Sequence, residues 1–325
     1  MQQPLVSIIL LTYNQEKYIE DALRGVFNQS YSNTEIIISD DHSIDKTPLI
    51  IERFLRENLE KGNVFYNHNE ENLGLVKNFN KAVAYAHGDF FVLAAGDDVS
   101  LKDRVAISLE KIQKLGVDSF AMNFQYVNSE GKELEQKGYS GNDKELIYVL
   151  NDFIENKPRF PMGPSRIFSK RVFDVFGMLD DNCQTEDTTL TFRSILLNGI
   201  AMTNKVGVLY RWHGNNISSY ESLMTRINPK LIYKQYKKDL KTAYIKDLIS
   251  RMQYFKILRI ILDYKYVQIF LRNLYSTKNR LGRHIYGLMF LINPLVLRSH
   301  KTAQWIKVVC PDLFIVKNKV KTLVK

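Results

Sequence analysis

Cysteines and long apolar runs are both scarce in this sequence, and each shortage excludes a class of protein. The two cysteines, Cys183 and Cys310, lie far apart without metal-ligand spacing, so they predict neither a disulfide framework nor a zinc site and favour a reducing compartment. The apolar stretch from Ile285 to Leu297 has 13 residues and includes Asn293 and Pro294. A membrane-spanning helix needs about 20 apolar residues, so we expect none here.

The pattern of a secretory signal is also absent from the start of this sequence. An apolar strand pattern begins directly after Pro4, without a basic segment and a small-residue cleavage site before it. We therefore expect a cytoplasmic protein. Its 325 residues, of which 45% are hydrophobic, suffice for the packed core of one large domain or two small ones.

Acidic residues are rare in the last third of the chain, although the formal net charge of the whole is only +10. Up to Tyr220 there are 23 Lys and Arg against 30 Asp and Glu, a balance of −7, and after it there are 22 against 5, a balance of +17. A uniformly basic protein would suggest a nucleic acid partner. This asymmetry instead predicts an acidic catalytic body with a basic tail for an anionic surface, and no nucleic acid.

Short apolar runs alternate with helical patterns over the first part of the chain. The runs that predict strands are Leu5 to Leu11, Glu35 to Ser39, Val64 to Tyr66 and Phe90 to Ala94, and the patterns that predict helices are Leu75 to Ala86 and Leu101 to Leu115. This alternation indicates an α/β fold with a doubly wound, mostly parallel sheet. Ligands of such sheets bind beyond the carboxyl ends of the strands, so the loops after Leu11, Ser39 and Ala95 should converge.

Later segments have a different character. Residues 118–127 predict another extended run, and the polar, Gly-bearing stretch 128–143 predicts a flexible surface loop. After Tyr220 the pattern predicts long helices that are basic and aromatic. The chain should therefore end in a basic α-helical extension.

Acidic residues cluster in two of the predicted loops. Asp40, Asp41 and Asp45 follow the second strand, where Asp also serves as an ordinary turn or helix-cap residue. Asp97 and Asp98 follow the strand that ends near Ala94. Two adjacent acids repel each other unless a cation or a hydrogen-bond donor compensates them, so the pair predicts Mg²⁺ or Mn²⁺ bound with a diphosphate. Solvated surface acids are the alternative.

Two further polar groups follow in the chain. Thr185, Glu186 and Asp187 precede an amphipathic helix, and the residues Tyr210 to His213 close another apolar strand. The four groups together are far more specific than any one of them.

In these segments the chain resembles a family 2 glycosyltransferase with the GT-A fold. The matching segments, in the family's order, are Val6 to Asn14, Glu35 to Thr47, Asn72 to Ala86, Gly88 to Asp98, Phe176 to Arg193 and Tyr210 to Ser218. The resemblance implies a GT-A catalytic domain over residues 1–220, with a nucleotide-binding half (1–100) and an acceptor half (101–220). Residues 221–325 form the extension, which contacts a membrane surface, packs on the catalytic domain or forms a homodimer.

On the donor side, the resemblance assigns roles to residues of the first loops. Asp41 would recognise the uracil edge with Tyr13 near the base, in the loop that also holds Thr12 and Asn14. Asp97 would contact the ribose. The family usually has Gly after the first acid pair, whereas this chain has His42.

The resemblance also implies a metal ion and residues near the diphosphate. Asp98 would bind Mn²⁺ or Mg²⁺, which stabilises the departing nucleoside diphosphate as a Lewis acid. His213 either completes the metal shell or is packed and hydrogen bonded, and Arg211 should point to the same side of the predicted strand. Lys77 either faces the diphosphate or is a solvated helix residue.

By the same resemblance, Asp187 is the general base that takes the proton of the acceptor hydroxyl, and a single displacement inverts the anomeric centre. Glu186 would orient the acceptor or a neighbouring strand. From the sequence itself, Gly163 with Pro164 and Ser165 either shapes the acceptor side or, with Pro161 nearby, forms a rigid loop.

We therefore predict a hexosyl- or N-acetylhexosaminyltransferase that uses a nucleoside diphosphate sugar, with UDP as the favoured carrier. The expected acceptor is a saccharide or an oligosaccharide on polyprenyl diphosphate, in surface polysaccharide synthesis at the inner face of the cell membrane. One alternative is a nucleotide-sugar binding module without turnover. The other is a sugar nucleotidyltransferase, which would carry a Gly-rich phosphate loop where this chain has Thr12 to Asn14.

Overall fold

A computed structural model describes residues 3–58, 63–141, 145–157, 164–213, 216, 224–277, 279–294 and 296. The chain divides into two compact units, residues 1–213 and residues 214–325. Within the part that the model describes, no helix has both the length and the apolar character that crossing a bilayer requires.

A single ten-stranded sheet forms the centre of the first unit. The strands are β1 Val6–Thr12, β2 Thr34–Asp40, β3 Asn63–His68, β4 Phe90–Ala95, β5 Val99–Ser100, β6 Ser119–Val127, β7 Glu133–Lys137, β8 Glu145–Tyr148, β9 Arg166–Ser169 and β10 Ile200–Arg211. Their order across the sheet is β3-β2-β1-β4-β9-β6-β10-β5, with β7 beside β6 and β8 beside β10. The neighbours β3, β2, β1 and β4 are parallel, as are β6 and β10.

Helices cover both faces of this sheet. They are α1 Ile19–Phe27, α2 Thr47–Glu57, α3 Leu75–Ala84, α4 Arg104–Leu115, α5 Leu150–Ile154, α6 Arg171–Phe176 and α7 Glu186–Leu196. Strand β1 shows the two layers, because Ile8 packs in the cluster that contains residues of α1, α2 and α4, whereas Ile9 packs with residues of α3, α6 and α7. The predicted doubly wound, mostly parallel α/β fold is confirmed.

Burial on both faces explains why the apolar runs of the central strands are continuous. Ile8, Ile9 and Leu10 are each exposed by 1% or less. Complete burial of one such side chain contributes about 1.5–3 kcal/mol, and a strand between two helical layers gains this contribution at every position.

The structure differs from the predicted pattern at two places. Strand β7 lies inside the stretch that was predicted as a loop, and it pairs antiparallel with β6 while all five of its residues are exposed. Helix α4 begins at Arg104 rather than at Leu101, because Val99 and Ser100 form β5 and pair with β10.

The polarity of the strands determines what gathers at one edge of the sheet. The carboxyl ends of β1, β2, β4, β6 and β10 lie at the same edge, because β9 is antiparallel to both β4 and β6. For the same reason β9 presents its first residue, Arg166, at that edge. We call this edge, with the loops that extend from it, the site edge.

The second unit is helical, as the sequence predicts for the C-terminal extension. Its long helices are α8 Pro229–Ile245, α9 Arg251–Ser276 and α10 Arg280–Ile292. Helix α9 begins with a capping box between Ser250 and Gln253. Helix α10 packs on α9 through Phe290, whose ring stacks on Phe270 with the centroids 4.1 Å apart.

The opposite side of α10 is apolar and exposed. The residues of this surface, which we call the α10 face, are Leu281, Ile285, Leu288, Met289 and Ile292, and each is at least 51% exposed. They recur at the spacing of one helical face. Within the described residues, this packing therefore leaves the apolar stripe uncovered.

Candidate active site

Two loops at the site edge are joined by reciprocal hydrogen bonds. In the loop between β1 and α1, the Asn14 amide donates to Ser43 Oγ at 2.8 Å, and Asn14 Oδ1 accepts the amide of Ile44 at 2.9 Å. Thr12 is buried and donates to Gln15 Oε1 at 2.8 Å. Tyr13 is 46% exposed. The contacts fix the loop and leave the Tyr13 ring accessible to a ligand.

Asp41 is buried beside this pair of loops and is strongly hydrogen bonded. Its Oδ1 accepts from Asn69 Nδ2 at 3.0 Å and from the Leu73 amide at 2.8 Å, and its Oδ2 accepts from the Gly74 amide at 2.8 Å. A carboxylate offers about four acceptor positions. Asp41 therefore anchors the start of α3 and retains acceptor capacity on Oδ2.

The neighbouring residues Asp40 and Asp45 have structural roles. Asp40 is fully buried, accepts from Ser43 Oγ, and lies 2.8 Å from His68 Nδ1. Asp45 Oδ1 accepts the amide of Thr47, the first residue of α2. The turn and helix-cap interpretation of this acidic cluster therefore applies to these two acids.

His42 adopts the backbone conformation that glycine adopts most easily. Its φ is +63°, in the left-handed region, and its ring Nδ1 lies 3.1 Å from the Asn69 carbonyl oxygen. The turn after the acid pair is thus formed in spite of the histidine.

The second acid pair lies at the end of β4 and contacts the end of β10. The Arg211 amide donates to Asp98 Oδ1 at 2.9 Å, and Arg211 Nε donates to the Asp97 carbonyl oxygen at 3.0 Å. His213 Nε2 lies 3.0 Å from Asp97 Oδ2. Strand β10 ends at Arg211, so His213 follows the strand rather than belonging to it.

Asp98 carries a poorly compensated negative charge. The side chain is only 6% exposed. Burial, first, and the charge of Asp97, second, raise the pKa of Asp98 well above its usual value, against smaller effects of Arg211 and Arg104. An additional cation at this position would relieve the repulsion.

Tyr18 and Asp21, at the start of α1, complete the surroundings of Arg211 and His213. The His213 ring stacks on Tyr18 with the centroids 5.1 Å apart, and the Arg211 guanidinium carbon lies 4.8 Å from the Tyr18 ring centre. Arg211 Nη2 lies 3.0 Å from Asp21 Oδ2. Sequence reasoning missed both residues, although their position directly after the first predicted loop was a usable signal.

Gly96 brings the acid pair against the loop after β1. A Cβ atom at this position would clash with the side chains of Gln15 and Thr12, the latter at 2.7 Å for Oγ1. Only glycine fits without a shift of these side chains. The donor-side residues and the acid pair are therefore direct neighbours.

Asp187 and Glu186 are the first residues of α7. Asp187 Oδ2 lies 3.1 Å from Arg166 Nη1, with 39% of the Asp187 side chain exposed and 11% of the Arg166 side chain. Burial, first, and the charge of Asp187, second, raise the pKa of Glu186 to about 7, while Arg166 opposes the shift. Since Arg166 lies at the site edge, this pair of acids does too. Sequence reasoning missed Arg166, whose only signal was one charge beside a short apolar run.

Oxygen and nitrogen donors suited to a hard divalent ion are present in the Asp97, Asp98 and His213 group. Within the described ranges, however, no set of three or more His, Cys, Asp or Glu side chains is arranged to hold a metal ion. The described residues therefore offer donor atoms for a cation and no assembled metal site.

Two predicted residues have no described contact with this group. Lys77 is exposed in the first turn of α3. Gly163 lies outside the described residues.

Relatives among known proteins are glycosyltransferases. The chain is 21% identical to the glycosyltransferase GlyG of Streptococcus pneumoniae serotype 4 over 225 residues, which cover 67% of this chain and 74% of GlyG. It is 38% identical over 108 residues to TuaG of Bacillus subtilis, a putative teichuronic acid biosynthesis glycosyltransferase, with 33% of this chain and 42% of TuaG covered.

Solved structures show the same fold. Staphylococcus aureus TarS in complex with UDP-GlcNAc superimposes with a TM-score of 0.62 at 18% identity, over 96% of this chain and 88% of the TarS chain. The mannosyltransferase PcManGT of Pyrobaculum calidifontis, in complex with GDP-Man and Mn²⁺, gives a TM-score of 0.53 at 14% identity, over 99% and 88%.

Residues 7–177, more than half of the chain, match the sequence model of the family described as glycosyl transferase family 2. This range includes both acid pairs and the loops that hold them. The chain is therefore a member of glycosyltransferase family 2.

Proposed function

We propose that this glycosyltransferase moves a hexosyl or N-acetylhexosaminyl group from a UDP-sugar to a hydroxyl of a saccharide or of a polyprenyl-diphosphate-linked oligosaccharide, with inversion. The observation that carries the proposal is the gathering of Asp41, the Asp97–Asp98 pair and Asp187 at one edge of the sheet, on segments far apart in the chain. In this arrangement Asp41 can accept a hydrogen bond from a nucleobase, and the negative charge of the Asp97–Asp98 pair can attract a cation. Asp187 can accept the proton of an acceptor hydroxyl.

On the donor side, Asp41 and Tyr13 form the proposed base site. Asp41 already accepts three hydrogen bonds, which leave one acceptor position on Oδ2. A nucleobase that offers a single N–H donor, such as uracil, fits this position. The exposed Tyr13 ring supplies a stacking surface in the loop of Thr12 and Asn14. Asp97 would accept from the ribose, and Lys77 would pair with the diphosphate.

The divalent ion, Mn²⁺ or Mg²⁺, would be held by Asp98 and His213. When bound, it acts as a Lewis acid toward the leaving diphosphate. Arg211 supports this site, because its amide and guanidinium orient both residues of the acid pair.

Asp187 would act on the acceptor. Its half-exposed carboxylate takes the proton as the hydroxyl oxygen bonds to the anomeric carbon, while the bond from that carbon to the diphosphate oxygen breaks with its electron pair. One displacement of this kind inverts the anomeric centre. Glu186 would orient the acceptor.

Surface polysaccharide synthesis is the proposed setting. Support comes from the likeness to TuaG, whose name refers to teichuronic acid biosynthesis. The basic C-terminal part, with its balance of +17 after Tyr220, and the α10 face together suit an anionic lipid surface. We place the protein at the inner face of the membrane, with a homodimer through the α10 face as the alternative use of that surface.

A nucleotide-sugar binding module without turnover is the second candidate. The accessible position of Asp187 beside the other acids favours the enzyme instead. A sugar nucleotidyltransferase finds no support, because the loop after β1 is held by Asn14 and Gln15 rather than by a run of glycines with basic residues.

The decisive test is hydrolysis of the donor, in which water takes the place of the acceptor hydroxyl and the nucleotide is released, with UDP-GlcNAc, UDP-GalNAc, UDP-glucose, UDP-galactose, UDP-glucuronate and GDP-mannose and Mn²⁺, for the full chain and for Asp187→Asn. We expect one UDP-sugar to be selected. Asp187→Asn should bind UDP with normal affinity in calorimetry. It should form UDP from the UDP-sugar at least about 10²-fold more slowly, which is the usual effect of losing a general base. Asp181→Asn, an exposed acid before α7, is the matched control. Binding of a sugar nucleotide without any release by the unaltered protein would favour the binding module.

A further inference from the structure

Arg166 is the one charged residue of strand β9, whose next residues Ile167 and Phe168 are fully buried. The strand is inserted between β4 and β6, so its backbone is already held on both sides. The side chain of Arg166 is only 11% exposed. Burial of a guanidinium is unfavourable unless a partner compensates its charge, so a partner of Arg166 is expected.

The partner is Asp187. Arg166 Nη1 lies 3.1 Å from Asp187 Oδ2, whereas Arg166 Nε is buried and has no hydrogen-bond partner among the residues that the structure describes. The ion pair is therefore the polar interaction by which this guanidinium is retained. A role in tying β9 to its neighbours does not need the side chain, because the main chain does that.

Asp187 is held at both carboxylate oxygens. Arg166 contacts Oδ2 from the buried side, and Oδ1 accepts the amide of Thr188. The remaining surface of the carboxylate is exposed. Two fixed oxygens define the plane of the group, so its free lone pairs point in one direction before any acceptor arrives.

One cation serves two adjacent acids at this place. Arg166 forms its ion pair with Asp187 and not with Glu186, although Glu186 is the next residue. The positive charge of the guanidinium is therefore directed at the carboxylate of Asp187.

Resting on the proposed function, we propose that Arg166 is a positioning residue for the transfer: it aims the carboxylate of Asp187 at the acceptor hydroxyl. Beside this ion pair, burial first and the charge of Asp187 second raise the pKa of Glu186 to about 7, and Arg166 opposes the shift.

The test is a double-mutant cycle on nucleotide release, with the UDP-sugar that the unaltered protein turns over fastest. We expect Arg166→Met to lower kcat by about 10- to 100-fold, the cost of a misplaced catalytic group, with the donor KM changed less than about threefold. Arg166→Lys should recover part of the loss. In the Asp187→Asn background, Arg166→Met should have no further effect, because a positioning residue acts only through the group that it positions.

Arg171→Met is the matched control. Arg171 begins α6 just beyond the far end of β9, and its Nη1 lies 3.4 Å from Asp118 Oδ2, so the variant also removes an arginine from an ion pair. It should leave kcat unchanged. Thermal unfolding and UDP affinity report folding, and if Arg166→Met does not fold, the cycle is run with Arg166→Lys.

Equal slowing by Arg166→Met in both backgrounds would overturn the proposal, because independent structural effects multiply. Normal kcat of the single variant would overturn it as well. Absence of release by the unaltered protein with every sugar nucleotide would instead count against the proposed function, so the two failures are distinguishable.

Discussion

The amide of Arg211 donates a hydrogen bond to Asp98 Oδ1 at 2.9 Å, across 113 positions of the chain. It ties the end of β10 to the loop after β4, and it leaves Asp98 Oδ2 available. A side-chain amide oxygen can accept this bond as well, so Asp98→Asn preserves the contact and removes the charge.

We expect Asp98→Asn to separate metal binding from stability. Loss of a ligand should weaken the Mn²⁺-dependent affinity for UDP by about 10-fold or more, since even outer-shell changes reach this size. Without metal, the variant should unfold at a higher temperature at neutral pH, because the raised pKa of Asp98 shows that its charged form is disfavoured in the fold. Calorimetry and thermal unfolding measure the two effects. Asp103→Asn, at an exposed acid of the same segment, should produce neither, and an unchanged Mn²⁺ dependence would remove Asp98 from the metal site.

Glu186 gives a prediction on pH. Its pKa is raised from 4.5 to about 7, so between these values the folded protein binds more protons at this site than the unfolded chain does. The contribution of Glu186 to the free energy of unfolding therefore falls as pH rises from about 4.5 to about 7. Relative to the unaltered protein, Glu186→Gln should gain on the order of 2 kcal/mol between pH 5 and pH 8 in urea unfolding. A difference that is constant across this range would contradict the raised pKa of Glu186.

The turn at His42 predicts a reversal of the usual ranking of alanine and glycine. Because φ is +63° there, His42→Gly should be more stable than His42→Ala by about 1 kcal/mol in urea unfolding. At the exposed helical residue Glu52, alanine should instead exceed glycine by about 1 kcal/mol. Equal stabilities of the two His42 variants would mean that the residue does not hold the left-handed conformation in solution.

The α10 face predicts binding to anionic lipid. Replacing Ile285, Leu288 and Ile292 by Gln should reduce co-flotation with phosphatidylglycerol-rich vesicles by more than about 10-fold, since each large apolar side chain contributes about 1.5–3 kcal/mol when buried. The control replaces the exposed apolar residues of the first unit, Ile44, Leu49 and Ile147. Equal flotation of both triple variants would place the lipid contact elsewhere. If the triple variant of the α10 face lost a dimer that the unaltered protein forms, and its flotation did not change, the homodimer would be favoured.

Much of the fold was predictable because its strongest signals are local. Strand β1 is buried on both faces, and its unbroken apolar run predicts a strand between two helical layers. Strand β7 has five exposed residues and therefore no such signal. Its pairing with β6 is decided by the main chain and by tertiary context, which local periodicity does not report.

In the candidate site, the acidic residues could be selected from the sequence, whereas the residues that contact them could not. Asp97, Asp98 and Asp187 stand at strand or helix ends, where the pattern directs attention. The contact of Arg166 with Asp187 depends on the direction of a four-residue strand inserted between β4 and β6. Direction and register of that kind are properties of the assembled sheet, so no local motif encodes them.

Strand β10 pairs with β6 along most of its length and with β8 and β5 near its two ends. A trimmed version of the protein that stops before Ile200 would leave main-chain N–H and C=O groups of all three partners without their ladder. Such fragments should accumulate as insoluble material. The shortest form that folds on its own therefore has to retain this strand.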